Sequence, residues 1–209
     1  MKRVYIAGPD VFRPDWPDFA RHATATAAAL GLEAVLPIPA IALTGPGVTE
    51  PGTRAQADRV FRGCLAAIAT VDGMVANLHP FRGREPDSGT IFELATARAQ
   101  GLPVIGYVDS AQALEDRFGT PDDDGAIRDE AGYLVERFGL PVNIMPAMGC
   151  TEIVVGSVDA ALRRCAELTA ACPRCQGHGY ITEMAQVGTP YPRPMSFPCP
   201  VCHPTRLLE

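Results

Sequence analysis

A pattern of strand, Gly/Pro-rich loop, helix and strand over residues 72–107 constrains the fold of this chain more than any other feature. The short apolar runs at 74–78 and 103–108 are typical of buried strands. A helix is predicted between them, over 89–100, because turn and capping residues bound a run of good helix formers. Two strands joined through a helix in this way pair in parallel, so the segment predicts a βαβ unit.

The remainder of the chain continues the alternation of strands and helices. Further strands are predicted at 3–8, 33–36 and 152–155, and further helices at 17–30, 53–70, 110–118, 130–138 and 158–170. This order predicts an α/β fold, doubly wound around a mostly parallel sheet in the flavodoxin-like or Rossmann-like manner. A proline-rich loop is predicted over 37–52. We place the α/β domain at residues 1–168.

Composition excludes several classes of protein. The 209 residues suit one domain and a small appendage, and 47% hydrophobic with 20% charged residues is typical of a globular chain. The net charge of −6 argues against a general nucleic-acid binder, which needs a basic surface. No apolar run reaches the roughly 18 residues of a membrane span. The apolar run after the basic start ends at once in Gly-Pro-Asp, so it predicts a first strand and not a signal peptide.

The tail from 169 to 209 changes character and carries two CxxC pairs. Its four cysteines are Cys172, Cys175, Cys199 and Cys202. This spacing is typical of a four-cysteine zinc ribbon, in which zinc supplies the folding energy that so short a segment lacks. Redox cysteines or a disulfide pair are the alternatives. We predict a structural zinc ion in the tail, and a reducing, cytoplasmic location for a chain with seven cysteines.

Two carboxylates, Asp87 and Glu93, fall at the predicted ligand site. In open parallel sheets ligands bind beyond the carboxyl ends of the strands, where the loop before the 89–100 helix lies. A carboxylate pair can act as acid and nucleophile on a glycosidic bond. A glutamate early in a helix can equally be a partner of the helix dipole, which favours its ionised form. Spacing alone therefore predicts a small polar ligand at this crevice and leaves both readings of Glu93 open.

Four motifs give the chain a specific resemblance. They are YIAGPDVF at 5–12, ANLHPFRG at 76–83, EPDSGTIFE at 85–93 and GLPVNIM at 139–145. In this order they resemble the nucleoside 2-deoxyribosyltransferase family, over about residues 3–165. The resemblance implies an enzyme of nucleoside salvage that transfers 2-deoxyribose between nucleobases, with no cofactor for catalysis.

The resemblance also implies catalytic roles for three residues. Glu93 matches the nucleophile that attacks C1′ of a 2′-deoxynucleoside and holds the sugar covalently, so that two displacements retain configuration. Asp87 matches the carboxylate that handles the base and its proton. Tyr5 matches the phenol that orients the nucleophile.

The remaining implied site residues bind substrate. They are Gly8, Pro9, Phe12, Asn77, Ser88, Gly89, Asn143 and Met145. Asn143 and Met145 match residues that reach the site of a neighbouring subunit, where the asparagine contacts nucleophile and sugar. The resemblance therefore implies a homo-oligomer with shared active sites, whose partners are a 2′-deoxynucleoside and a nucleobase.

Cys64 is one of the departures from the family pattern. Cys64 stands on a helix face where relatives carry Asp or Asn near the base, and a thiol is a weak donor and acceptor.

Two alternative functions stay open. The first is an N-glycoside hydrolase acting on nucleoside 5′-monophosphates, because Arg82, Arg84, Ser88 and Thr90 suit a phosphate. The second alternative is a non-catalytic nucleotide sensor whose zinc ribbon contacts a partner.

Overall fold

A five-stranded parallel sheet is the centre of the fold. The computed structural model describes residues 1–37, 52–169, 180–185 and 193–198. The strands of the sheet are β1 (Lys2–Ala7), β2 (Leu32–Val35), β3 (Gly73–Asn77), β4 (Val104–Val108) and β5 (Glu152–Val155). Their spatial order is β2-β1-β3-β4-β5, and all neighbours pair in parallel. This is the flavodoxin-like order, whose switch point lies between β1 and β3.

Helices cover both faces of the sheet. They are α1 (Trp16–Ala29), α2 (Arg54–Ile68), α3 (Ser88–Ala99), α4 (Ile144–Gly149) and α5 (Val158–Thr169). α1 and α5 pack together on one face of the sheet. On the other face α2 contacts α3, and α3 contacts α4. A short 3₁₀ helix, Pro9–Phe12, follows β1 directly.

Strand alternation decides which side chains reach each face. Val4 and Ile6 of β1 enter the apolar cluster beneath α1 and α5, whereas Tyr5 and Ala7 enter the cluster beneath α2, α3 and α4. Both β3 and β4 are buried along their whole length, as expected of central parallel strands. The predicted fold class and the central βαβ unit are confirmed.

Two predicted helices are wrong. Over 110–118 the structure has only a 3₁₀ turn, Glu115–Arg117, and over 130–138 it has irregular chain with one isolated bridge. In the second segment the carboxylate of Asp129 accepts hydrogen bonds from the backbone N–H groups of Ala131 and Tyr133, both at 2.9 Å. These bonds divert the backbone from helical pairing.

The tail contains a two-stranded antiparallel sheet, β6 (Tyr180–Ala185) and β7 (Arg193–Pro198). The four cysteines of the predicted zinc site lie outside the described residues, as does most of the predicted 37–52 loop. Within the described residues no group of three or more His, Cys, Asp or Glu side chains could hold a metal ion. No helix in the described ranges has the length and apolar character needed to cross a membrane.

Candidate active site

A phenol and a carboxylate meet at the carboxyl end of the sheet. Tyr5 lies in β1, and its side chain is completely buried. Glu93 lies in the second turn of α3, which packs over the same face of the sheet. The Tyr5 hydroxyl donates a 2.7 Å hydrogen bond to Oε1 of Glu93. The structure therefore brings together two of the three residues predicted to be catalytic.

Burial sets the protonation of this pair. It raises the pKa of Tyr5, and the adjacent Glu93 carboxylate raises it further, so the phenol is a proton donor at neutral pH. Burial also raises the pKa of Glu93 above its ordinary value, and hydrogen bonds from Tyr5 and from the Cys64 thiol partly offset this. The helix dipole acts mainly on the first turn, so at Glu93 desolvation outweighs it.

A cavity of about 570 Å³ opens beside Glu93, between α2 and α3. Its lining is mostly apolar, with Val60, Phe61, Leu65 and Phe92 among the lining residues. Among the described residues Glu93 is its only charged lining residue. A pocket of this size, apolar with few polar groups, is typical of a small-molecule site.

Two aromatic rings stand at this cavity, and sequence reasoning did not assign them to the site. The rings of Phe61 and Phe92 lie 5.7 Å apart and remain about half exposed, at 49% and 52%. Exposed aromatic rings beside an apolar cavity can stack on a planar ligand. Phe92 stands in the EPDSGTIFE motif next to Glu93, which is the signal that could have identified it.

Asp87 is the N-cap of α3. Its Oδ2 accepts hydrogen bonds from the backbone N–H of Thr90 at 2.9 Å and from the Thr90 hydroxyl at 3.0 Å. Its charge is close enough to raise the pKa of Glu93. Asp87 thus has a capping role and leaves Oδ1 for a second partner. Ser88 and Gly89 form the first turn of α3, and Gly89 lines the cavity beside Glu93.

Asn77 lies on the opposite face of the sheet from Tyr5. Its Nδ2 donates to Oδ2 of Asp10 at 2.8 Å, and its Oδ1 accepts from the backbone N–H of His79 at 3.0 Å. It is 5% exposed and contributes, with Asp10 and Tyr107, to a separate polar cavity of about 410 Å³. The structure therefore does not bring the predicted substrate ligand Asn77 together with Glu93.

Gly8 is required by close packing between β1 and β3. A Cβ atom at this position would lie 2.7 Å from Oδ2 of Asp10 and 2.8 Å from Cβ of Asn77. Any other residue would displace the buried Asp10–Asn77 pair. Gly8 thus supports the start of the 3₁₀ helix that carries Pro9 and Phe12.

Phe12 and the 81–88 loop form a second aromatic contact. The Phe12 ring stacks on Phe81 at 5.6 Å, and the guanidinium of Arg82 lies 5.1 Å and 4.6 Å from the two ring centres. Pro9 lies beside the same rings. These residues stand at the carboxyl edge of the sheet, as predicted.

Asn143 and Met145 belong to the start of α4. Asn143 is its N-cap, and its described hydrogen bonds go to Met145, Glu136 and Glu85, none of which is a predicted catalytic residue. The Met145 side chain is largely exposed, at 75%. Within one chain the structure therefore does not bring these two residues to Glu93.

The fold and the site define the chain as an α/β protein with a small-molecule site at the carboxyl edge of a parallel sheet. The model of the nucleoside 2-deoxyribosyltransferase family matches residues 4–145, about two thirds of the chain. The chain belongs to this family. Membership places it among enzymes of glycosyl transfer.

The chain is also similar to several solved structures. The chain is similar to a 2-deoxyribosyltransferase from Leishmania mexicana, with 28% identity over 80% of this chain and 98% of that chain and a TM-score of 0.59. A conserved protein from Enterococcus faecalis V583 has 19% identity over 78% of this chain and 95% of that chain, with a TM-score of 0.49. A 2-deoxyribosyltransferase from Bacillus psychrosaccharolyticus has 20% identity over 55% of this chain and 80% of that chain, with a TM-score of 0.40. A search of curated protein sequences gives no match.

Proposed function

We propose that the protein transfers 2-deoxyribose between nucleobases through a covalent intermediate on Glu93, in nucleoside salvage. The observation that carries the proposal is the buried Tyr5–Glu93 hydrogen bond beside a cavity with apolar, partly aromatic walls. A carboxylate held by a phenol has a fixed direction of attack, and aromatic walls suit a nucleobase.

The reaction has two displacements at the same carbon. In the first, an oxygen of ionised Glu93 forms a bond to C1′ while the N-glycosidic bond breaks, and the departing base takes a proton. In the second, a nitrogen of the incoming base bonds to C1′, the Glu93–C1′ bond breaks, and that base gives up its proton. Two inversions restore the original configuration.

Tyr5 and Asp87 have distinct parts in this scheme. Tyr5 stays protonated because its pKa is raised, and it holds the reacting carboxylate in one orientation. Asp87 uses Oδ2 to cap α3, so Oδ1 is the oxygen available to exchange a proton with the base. Both assignments use side chains that the fold has already fixed.

Product analysis tests the proposal. The protein is incubated with deoxyinosine and adenine, and products are separated by chromatography. Transfer gives deoxyadenosine and hypoxanthine. Mass spectrometry of protein denatured during incubation with deoxyinosine alone should show a deoxyribosyl adduct on the 85–93 segment.

A matched pair of variants checks the nucleophile. Glu93→Gln should abolish both adduct and exchange, while Glu167→Gln, on the exposed side of α5, should leave them unchanged. Normal exchange by Glu93→Gln would reject the assignment.

A second candidate is hydrolysis of nucleoside 5′-monophosphates. A cavity of about 430 Å³ lies along the 81–88 loop at the N-terminus of α3, and its lining includes Arg82, Arg84 and Ser88. Arg84 is engaged by Glu130 and the carbonyl of Arg117, and Thr90 by Asp87, which leaves Arg82 and Ser88 as the phosphate ligands. Free base and deoxyribose 5-phosphate from a deoxynucleotide, without exchange, would favour this candidate.

A non-catalytic sensor predicts binding without turnover. The hydrogen-bonded Tyr5–Glu93 pair supports catalysis over this alternative, because a sensor has no need of a buried carboxylate with a raised pKa. Ligand binding with no product in either assay would favour the sensor.

We further propose that active sites are shared between protomers of a homo-oligomer, because Asn143 and Met145 do not reach Glu93 within one chain.

A further inference from the structure

The amide side chain of Asn143 is held at both ends. Its Oδ1 accepts a 2.9 Å hydrogen bond from the backbone N–H of Met145. Its Nδ2 donates a 3.0 Å hydrogen bond to Oε1 of Glu136. Because only the nitrogen can donate and only the oxygen can accept, these two bonds fix the orientation of the amide. One N–H of the amide is left without a partner among the described residues.

Glu136 holds the backbone of the same turn as well. Its second oxygen, Oε2, accepts a 2.8 Å hydrogen bond from the backbone N–H of Ile144, the first residue of α4. One carboxylate therefore binds both the side chain of the N-cap and the first turn of the helix. The two hydrogen bonds that Glu136 accepts therefore restrain both groups at the start of α4.

The loop that carries Glu136 is itself anchored. The backbone N–H of Leu114 donates to the carbonyl of Leu140 at 2.7 Å, and that of Gly139 donates to Oε1 of Glu115 at 3.0 Å. The loop approaches α4 with Glu136 half-buried, whereas Glu130 in the same loop is 93% exposed. The two glutamates thus have different environments within one segment.

We infer that Glu136 is a positioning residue, which orients the Asn143 amide so that its free N–H is presented to the active site of a neighbouring protomer. The inference rests on the proposed function, in which Asn143 serves a deoxyribosyl site. Glu136 does not touch the substrate; it acts through Asn143. The donor that has no partner among the described residues suits the hydroxyl oxygens of a sugar or an oxygen of the nucleophile.

Kinetics of variants test this role. In Glu136→Gln the side chain can still accept from Ile144, but its own amide then faces Nδ2 of Asn143 with a second donor. We expect kcat/KM for deoxyribosyl transfer to fall roughly 10- to 100-fold, as for loss of one hydrogen bond to a charged group. Glu130→Gln is the matched control in the same loop and should stay within about twofold of the unmodified protein.

A double mutant separates positioning from general structural support. Asn143→Ala should lower kcat/KM, and adding Glu136→Gln to it should cause no further loss, because the residue acts only through the amide. Glu136→Asp, which keeps the acceptor charge, should recover part of the activity. The inference would be overturned if the fold-loss of kcat/KM in the double variant equalled the product of the two single fold-losses. Normal activity of Glu136→Gln would overturn it as well.

Mixing of variants shows on which protomer Glu136 acts. Hybrid oligomers of Glu93→Ala with Asn143→Ala contain sites in which both residues are intact, so activity returns if Asn143 acts across the interface. Glu136→Gln mixed with Glu93→Ala should regain activity in the same way. If only the Asn143 mixture recovers, Glu136 acts within its own site and the inference is wrong.

Binding measurements keep the inference separate from the proposed reaction. If the unmodified protein binds deoxyinosine but forms no product, the transferase proposal fails. The inference then stands only if Glu136→Gln and Asn143→Ala weaken binding without further weakening in the double variant. A protein that neither binds nor converts deoxyinosine overturns both.

Discussion

The phenol of Tyr5 donates its hydrogen bond to a carboxylate 88 positions later in the chain, at Oε1 of Glu93. This bond joins β1, an inner strand of the sheet, to the helix that covers it. Burial raises the pKa of both groups, so the proton stays on the phenol and the carboxylate ionises later than an ordinary glutamate as pH rises.

Tyr5→Phe should lower activity and shift its pH dependence. We expect kcat/KM to fall roughly 10- to 100-fold, the effect of losing a hydrogen bond to a charged group. The hydrogen bond lowers the pKa of Glu93, so its removal raises that pKa. Because deprotonated Glu93 is the reacting form, the acid limb of the pH profile should move to higher pH. Tyr133→Phe, at an exposed tyrosine, is the control, and an unmoved acid limb would contradict this role.

Cys64→Asp should also move the acid limb upward. The thiol of Cys64 lowers the pKa of Glu93, whereas a second carboxylate there would disfavour ionisation of the first. Cys64→Asn is the matched neutral variant of the same size. The comparison is kcat/KM against pH for both, and coinciding profiles would show that charge at position 64 does not reach the nucleophile.

Two substitutions at Asp87 separate its capping and chemical roles. Asp87→Asn keeps an oxygen that can accept from Thr90, while Asp87→Ala removes the cap of α3. We expect similar large losses of kcat in both, but a loss of about 1 kcal/mol in the free energy of unfolding only for Asp87→Ala. Activity retained by Asp87→Asn would remove Asp87 from proton transfer.

Glu93→Gln should stabilise the fold at neutral pH. The raised pKa of Glu93 means that the folded state holds the proton longer than the unfolded state does. Stability contributed by this group is present below its unfolded pKa of about 4.3 and is lost as pH rises through the folded pKa. At pH 7 the glutamine variant should therefore unfold with a free energy higher by on the order of 1 kcal/mol. Chemical denaturation at pH 4 and pH 7 measures this, and a difference that grows toward pH 4 would be the wrong sign.

Elemental analysis tests the metal predicted for the tail. The full chain should contain about one zinc per protein, and Cys172→Ser should reduce this to near zero. Cys150→Ser, at a free cysteine of the α/β layer, should retain the metal. Metal-free protein purified from zinc-supplied cells would reject the zinc ribbon and leave the redox or disulfide alternatives.

Local patterns were sufficient to predict the layer structure, because its strands are apolar runs and α3 has a cap at Asp87 and a stop after Ala99. They failed between β4 and α4, where the Asp129 side chain captures backbone N–H groups that composition alone assigns to a helix. Side-chain bonds of this kind depend on geometry that a propensity does not contain.

Site residues that are close together in one motif were predictable from the sequence. The face of the sheet on which a site residue lies was not predictable, because it depends on strand register. Tyr5 pairs with Met74 and Ala7 with Ala76, so Asn77, one residue further, points to the other face. The family resemblance grouped Asn77 with Tyr5, but a single step along a strand separates them. The contact of Cys64 with Glu93 likewise required the packing of α2 against α3.

The distance along the chain between Tyr5 and Glu93 also bears on synthesis. During translation the phenol leaves the ribosome long before its acceptor, since 88 positions separate them. Until α3 is made, the Tyr5 hydroxyl lacks its carboxylate partner, although the Cys64 thiol of α2, which is made earlier, can already form a hydrogen bond with it. Docking of α3 then brings the Glu93 carboxylate to that hydroxyl and completes the reactive pair. In a nascent chain, formation of this hydrogen bond would therefore report that β1 and its covering helix have assembled.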